Sequence, residues 1–143
     1  MQGFFQRYFL LYRPLISKLN ELLGEYELSY SLWQVILYVK NNGPSTLVEI
    51  SAHYNVENPT ITRRVQCLEE KLIINVLPGK DRREKIIQLT EYGESLYQNC
   101  REKITNLEAE VMEGIPESEQ IAVFEALPKL RKNIQNLKGV NHE

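Results

Sequence analysis

Apolar residues near the start of the chain recur at steps of three and four: Phe4, Tyr8, Leu11, Leu15, Leu19 and Leu22. That spacing places them on one face of a helix over about residues 3–23. Pro14 is expected to kink or restart it, and Gly24 to end it. Ser31, followed by Leu32, Val35, Ile36 and Val39, predicts a shorter helix stopped by Asn41-Asn42-Gly43-Pro44. Thr46 with Glu49 fits a capping box and opens a two-turn helix with Leu47 and Ile50 on its apolar side. Asn55-Val56-Glu57 reads as a tight turn. Asn58-Pro59 reads as a helix start, with Asn capping the free amides and Pro at the first helical position.

The helix that follows, to about Leu72, carries Ile61, Val65, Leu68 and Leu72 within about 60° of one another at 100° per residue. The period then changes. Ile73–Leu77 and Lys85–Leu89 are β-type runs separated by Pro78-Gly79-Lys80-Asp81-Arg82-Arg83, a hairpin with a charged tip whose Pro-Gly suits a type II turn. Thr90 is placed to cap a long helix with Tyr97, Cys100, Ile104, Leu107 and Val111 in a three-four seam. Pro116 and Ser118 introduce a last helix bearing Ile121, Phe124, Leu127, Leu130, Ile134 and Leu137, with Pro128 as a kink.

Three helices followed by a two-stranded hairpin is the winged helix-turn-helix arrangement, a mainly α fold with a small β wing. The expected organisation is an N-terminal dimerisation helix in residues 1–30, the winged module in 31–90 and C-terminal dimerisation helices in 91–143. A central module of about 60 residues is too small to cover the flanking apolar seams, which a helical homodimer buries most simply.

Composition changes this picture little. The 143 residues are 43% hydrophobic and 25% charged, as in an average globular protein. No apolar run approaches the roughly 18 residues of a membrane span. The aromatic N-terminus is interrupted by Arg7 and Arg13 and lacks a small-residue cleavage site, so no signal peptide is expected. A cytoplasmic, soluble protein is implied. Two histidines and two cysteines cannot build a rich metal site or a disulfide framework. No metal and no cofactor are expected. With no phosphate-binding Gly loop, nucleophile motif or acid pair, an enzyme is not expected either.

Charge adds more. The net charge is −2, which by itself argues against nucleic acid. It is uneven, however: residues 57–90 carry +2 and residues 91–143 carry −4. The helix face opposite Ile61, Val65 and Leu68 presents Thr60, Thr62, Arg63, Gln66 and Cys67, with Arg64 at its flank. Hydroxyls, an amide and a guanidinium are the groups that read base edges and grip phosphates in a major groove. Lys80, Arg82, Arg83 and Lys85 crowd the hairpin tip, which suits insertion into a minor groove. Cys67 lies far from the helix N-terminus and reads as a passive small residue.

Ile61-Thr62-Arg63-Arg64-Val65-Gln66-Cys67-Leu68-Glu69-Glu70-Lys71, then Asp81-Arg82-Arg83, then Gln88-Leu89-Thr90-Glu91-Tyr92-Gly93 resemble the multiple-antibiotic-resistance regulator (MarR) family. The Asp-Arg-Arg tip leading to Leu-Thr-Glu-x-Gly is specific, and the likeness extends upstream through Leu32-Trp33-Gln34-Val35 and Gly43-Pro44. It implies a homodimeric transcriptional regulator, usually a repressor, that binds a palindromic operator in double-stranded DNA and releases it when a small ligand binds. The DNA-binding candidates are then Ser45, Thr46, Asn58, Pro59, Thr60, Thr62, Arg63, Arg64 and Gln66, with Lys80, Asp81, Arg82, Arg83 and Lys85 on the wing. The resemblance implies that Asp81 holds an adjacent arginine, Arg83, ready for the minor groove. Phe9, Tyr12, Tyr30, Trp33 and Tyr38 are candidates to line a site for a small aromatic or phenolic effector. Two departures stand out. Leu72 occupies a position where the family commonly has Gly, so the helix end lacks the residue that most readily takes a positive φ. Val76 stands where an arginine commonly opens the wing, removing one phosphate contact. The rival reading is a winged-helix protein-interaction module without DNA binding, in keeping with the acidic balance.

Overall fold

The computed structural model describes residues 2–81 and 83–137. Helix α1 (Phe4–Gly24) is followed by α2 (Tyr30–Asn42), strand β1 (Ser45–Thr46), α3 (Leu47–Tyr54), α4 (Asn58–Glu70), β2 (Ile74–Pro78), β3 (Lys85–Leu89), α5 (Glu91–Met112) and α6 (Glu117–Asn136). This is the expected winged helix-turn-helix order. The chain divides into two compact units, Met1–Thr105 and Asn106–Glu143.

Helix α1 runs through Pro14 without restarting. Proline costs it the bond to the Leu10 carbonyl, and Leu10 is exposed. Gly24 stays helical, and the chain reverses at Glu27. Helix α2 is capped by Ser29 rather than Ser31, with the Leu32 N–H donating to Ser29 Oγ at 3.3 Å. The capping box at α3 forms as expected: the Glu49 N–H donates to Thr46 Oγ1, and Glu49 Oε1 accepts from the Thr46 N–H.

Glu27, Asn55 and Leu72 have positive φ, and each ends a helix by the same device. Leu28, Val56 and Ile73 donate to Leu23 O, Ser51 O and Leu68 O, five residues back. Glu27, Asn55 and Leu72 donate to Gly24 O, Ala52 O and Glu69 O, three residues back. This is the double closure of a Schellman motif, with the left-handed residue between its two bonds. Leu72 therefore keeps, at φ 63°, the backbone sign a glycine would supply. A Cβ in that region costs roughly 1 kcal/mol, and the Leu72 side chain is 71% exposed, so it offsets little of the strain. Leu72→Gly is therefore expected to raise stability by about 0.5–1 kcal/mol, read as a higher midpoint in urea at unchanged slope. A lower midpoint would show that the leucine side chain is needed there.

The wing is a three-stranded antiparallel sheet in the order β1-β3-β2. Ser45 pairs with Ile87, and the β2–β3 register runs from Ile74↔Leu89 to Pro78↔Lys85. Two residues of β1 are too few to show a period of two, which is why no sequence pattern announced it. The core gathers Trp33, Val35, Ile36 and Val39 from α2, Ile50 from α3, Ile61, Val65 and Leu68 from α4, Ile73, Ile74 and Ile87, and Leu96, Cys100 and Ile104 from α5. Trp33 stacks on Tyr97 with ring centroids 5.4 Å apart. The first three residues of the α5 seam thus pack within the chain and are not free for a partner. Burial pushes the Cys100 thiol up to about 11, so it stays protonated and inert at neutral pH.

In the second unit, Gln120 Nε2 donates to Ile115 O at 2.8 Å and Met112 O at 3.3 Å, closing the end of α5 ahead of α6. Helix α6 continues through Pro128 and exposes Ile121, Val123, Phe124, Leu127 and Ile134. Helix α1 likewise exposes Phe4, Phe5, Tyr8, Phe9 and Leu11. Among the described residues, no helix is long and apolar enough to cross a membrane, and no cluster of ligating side chains could hold a metal.

Candidate nucleic-acid interface

Helix α4 buries Ile61, Val65 and Leu68 and turns its other side outward. Its N-cap is Glu57, not Asn58, and the cap makes no side-chain bond. Asn58 is committed elsewhere: its Oδ1 accepts from Ser51 Oγ across the turn, and its carbonyl accepts from Thr62 Oγ1 at 2.9 Å. This ties α3 to α4 and fixes the helix-turn-helix angle. Pro59 is exposed in the first turn. Arg63 stands on the outward face, its Nη2 donating to Thr60 Oγ1 at 3.3 Å. Gln66 is exposed beside it and Cys67 is partly so. Arg64 is different: it lies at the flank and donates to Gln34 Oε1 at 3.1 Å in a part-buried setting.

Ser45 and Thr46 do not offer free hydroxyls. Ser45 is buried, and its Oγ donates to Gly43 O at 2.7 Å. Thr46 Oγ1 is occupied by the capping box and by Glu49 Oε1 at 3.1 Å. Both side chains thus have structural roles, Ser45 in the β1–β3 pair and Thr46 as the cap of α3.

The wing tip carries Lys80, Asp81, Arg83 and Lys85, all exposed; Arg82 lies outside the described residues. The Gly79 N–H donates to Glu84 O at 2.8 Å and the Glu84 N–H to Asp81 O at 2.9 Å. Gly79 is not in the left-handed region, so the expected Pro-Gly type II turn does not form. A Cβ on Gly79 would lie 2.8 Å from Glu84 Cβ, so glycine is required there for closeness. Asp81 Oδ1 accepts from the Arg83 backbone N–H at 3.3 Å. The carboxylate thus organises the turn through the main chain of Arg83, and among the described residues no ion pair joins the two side chains. Between α4 and the wing, Thr62, Gln66, Glu69 and Lys85 rim a cavity of about 220 Å³ floored by Leu47, Val65, Val76 and Ile87.

The wing is anchored behind by Thr90 and Gly93. Thr90 Oγ1 donates toward Leu72 O at 2.7 Å and Ile73 O at 3.1 Å, and accepts from the Gly93 N–H at 2.9 Å. That is the physical content of the Leu-Thr-Glu-x-Gly run.

The five effector candidates fall in different settings, with Tyr12 and Tyr30 near each other. Trp33 is core, and Tyr38 packs against His53 and Tyr54. Phe9 and Tyr12 are exposed on α1, where Tyr12 stacks on Tyr8. Tyr30 is part-buried and accepts from Gln34 Nε2 at 2.7 Å. Burial raises its pKa above the ordinary value of 10, the nearby Tyr12 and Tyr8 add to this, and the Gln34 bond and Arg64 oppose it. Sequence reasoning met Gln34 only within the run Leu32-Trp33-Gln34-Val35 and gave it no role, because its partners Tyr30 and Arg64 carry no signal of the pairing.

No family model matches the chain. It is 36% identical over 100 residues, 70% of its length and 73% of the relative's, to the uncharacterized HTH-type transcriptional regulator YwoH of Bacillus subtilis. In structure it is similar to Staphylococcus aureus MarR in complex with salicylate and kanamycin, with a TM-score of 0.86 at 24% identity over 96% of this chain and 93% of that one. A mutant of Escherichia coli MarR complexed with operator DNA superposes with a TM-score of 0.81 at 20% identity, covering 90% and 94% of the two chains. The winged module, its Asp-Arg-Arg tip and these relatives together lead to one conclusion: the chain belongs to the MarR family of winged helix-turn-helix transcriptional regulators.

Proposed function

We propose that the protein is a repressor that binds a palindromic operator as a homodimer, reading the major groove with α4 and the adjacent minor groove with the wing. The family is one of transcriptional regulators and not of enzymes. The observation that carries the reading is the outward face of α4, with Thr60, Arg63 and Gln66 beside a wing tip of Lys80, Arg83 and Lys85. A helix of this chemistry and a basic loop suit adjacent grooves of one duplex. Residues 31–90 are the DNA-binding part, and residues 1–30 and 91–143 supply dimer contacts through the exposed apolar faces of α1 and α6, which a second copy covers. A small aromatic or phenolic effector, such as the salicylate held by the Staphylococcus aureus relative, lodges near Tyr12 and Tyr30 and releases the DNA. Such a protein works in the cytoplasm.

Fluorescence anisotropy on DNA from upstream of the protein's own gene, across a salt series, tests this. The affinity should fall steeply with salt, the log–log slope counting the phosphates neutralised. A protein-interaction module, the reading the acidic balance favours, predicts no binding. Light scattering at micromolar concentration should give a dimeric mass. Arg83→Ala should flatten the slope by about one unit per half-site. Asp81→Ala should also weaken binding although it removes a negative charge, because the tip loses the acceptor that orders Arg83. Tighter binding by Asp81→Ala, with no response to Arg83→Ala, would reduce the tip to a solvated turn.

A further inference from the structure

Arg63 and Arg64 are neighbours in sequence but not in role. At 100° per residue, Arg63 lies about 170° from the middle of the buried stripe of α4, whereas Arg64 lies only about 70° from it, toward α2. Its guanidinium is taken up there by Gln34, 30 residues earlier in the chain.

The order of donors along this chain of bonds is determined by chemistry. Arginine has only donors, so Gln34 must present its carbonyl oxygen to Arg64 and its amide nitrogen to Tyr30. The Tyr30 oxygen accepts from that nitrogen at 2.7 Å. The main chain of Gln34 is held as well, its carbonyl accepting from Tyr54 OH of α3 at 2.7 Å. One residue of α2 therefore grips both helices of the helix-turn-helix, α3 by its backbone and α4 by its side chain.

We infer that Gln34 is a positioning residue for DNA binding, which withdraws Arg64 from the contact set and uses it to set the seat of α4. The inference rests on α4 being the helix that meets DNA. Arg63 then reads the duplex, and Arg64 acts only through the angle of the helix that carries Arg63.

Anisotropy in a salt series on the same upstream DNA, with thermal melts to verify folding, tests this. Gln34→Leu and Arg64→Leu should each weaken binding by about tenfold, the size of one lost charge-assisted hydrogen bond. The double variant should be no weaker than either, since both remove the same bond. Gln34→Glu, which keeps an acceptor toward Arg64, should bind within about twofold of the parent. The salt slope of Arg64→Leu should match the parent's, while Arg63→Ala flattens it or changes base preference. Additive losses, parental binding by Gln34→Leu, or a slope flattened by about one unit per half-site in Arg64→Leu would overturn the inference. A flattened slope of that kind would leave the DNA-binding reading intact. A parent protein that binds no DNA would remove both.

Discussion

Gly93→Ala should destabilise the protein by about 2–4 kcal/mol, a large part of the 5–15 kcal/mol typical of a domain. Gly93 sits in the first turns of α5 and is buried. A Cβ there would stand 2.1 Å from the carbonyl oxygen of Ile73 and 3.2 Å from its carbon. These are backbone atoms, so no rotamer can yield. Helix α5 would have to retreat from the start of β2 by about 1 Å, and overpacking of this kind costs about 1–3 kcal/mol. The retreat also stretches the bonds from Thr90 to Leu72 O and Ile73 O, each worth about 1 kcal/mol. Helix propensity acts the other way, since alanine is better than glycine in a helix interior by about 1 kcal/mol. The sign therefore decides between space and propensity. Gly24→Ala is the control: Gly24 is helical and has nothing within 4 Å of a Cβ. It should gain up to about 1 kcal/mol. Urea denaturation of both variants measures the pair. A stable Gly93→Ala would mean that α5 and β2 are not locked as described.

The same site shows which parts of the fold sequence reasoning could reach. Leu-Thr-Glu-x-Gly was recognisable as a pattern, but its cause is a three-way contact among Thr90, Gly93 and the Leu72–Ile73 backbone. Only the folded chain brings these together. The helices were legible because their apolar positions repeat at the helical period over several turns, and the long β runs because the period changed. The two-residue β1 was not, having no period at all. The helix ends were misplaced for a related reason. Gly24 and Ser31 looked like stop and start signals, but Glu27 and Ser29 do that work, and a helix end is decided by which neighbour completes its last hydrogen bonds.

The candidate site divides in the same way. Outward positions on α4 followed from the buried stripe, since the face opposite an apolar face is exposed by geometry. Side chains whose fate depends on a distant partner did not follow. Asn58 is claimed by Ser51 and Arg64 by Gln34. Each looked free in sequence because the group that claims it is seven or 30 residues away. Trp33 is the clearest case among the effector candidates. Its stacking on Tyr97 joins α2 to α5, and an aromatic residue in a helix says nothing by itself about which side will be filled.

Arg63→Ala should weaken binding to the operator by about 1–3 kcal/mol, some fivefold to 150-fold, with stability unchanged within about 0.5 kcal/mol. Arg63 is exposed and contributes nothing to the core, so its loss cannot act through folding. It is the one arginine on the outward face of α4. Its bond to Thr60 Oγ1 at 3.3 Å is long and neutral-acceptor in kind, so DNA can displace it at small cost. That bond still narrows the rotamers of a side chain that otherwise loses about 2 kcal/mol of entropy on binding. Thr60→Ala should therefore cost a smaller part of the same affinity. A planar guanidinium can donate two parallel bonds to the O6 and N7 acceptors of a guanine, which no other base pair offers in that pattern. If Arg63 makes that contact, its removal relaxes preference at one position of each half-site and leaves the rest of the operator discriminated as before. If it grips phosphate instead, every sequence weakens alike and the salt slope flattens by about one unit per half-site. Competition binding with an operator library, repeated at two salt concentrations, separates these outcomes. No loss on any sequence would mean that the outward face of α4 is a solvated surface and that the wing alone holds the DNA.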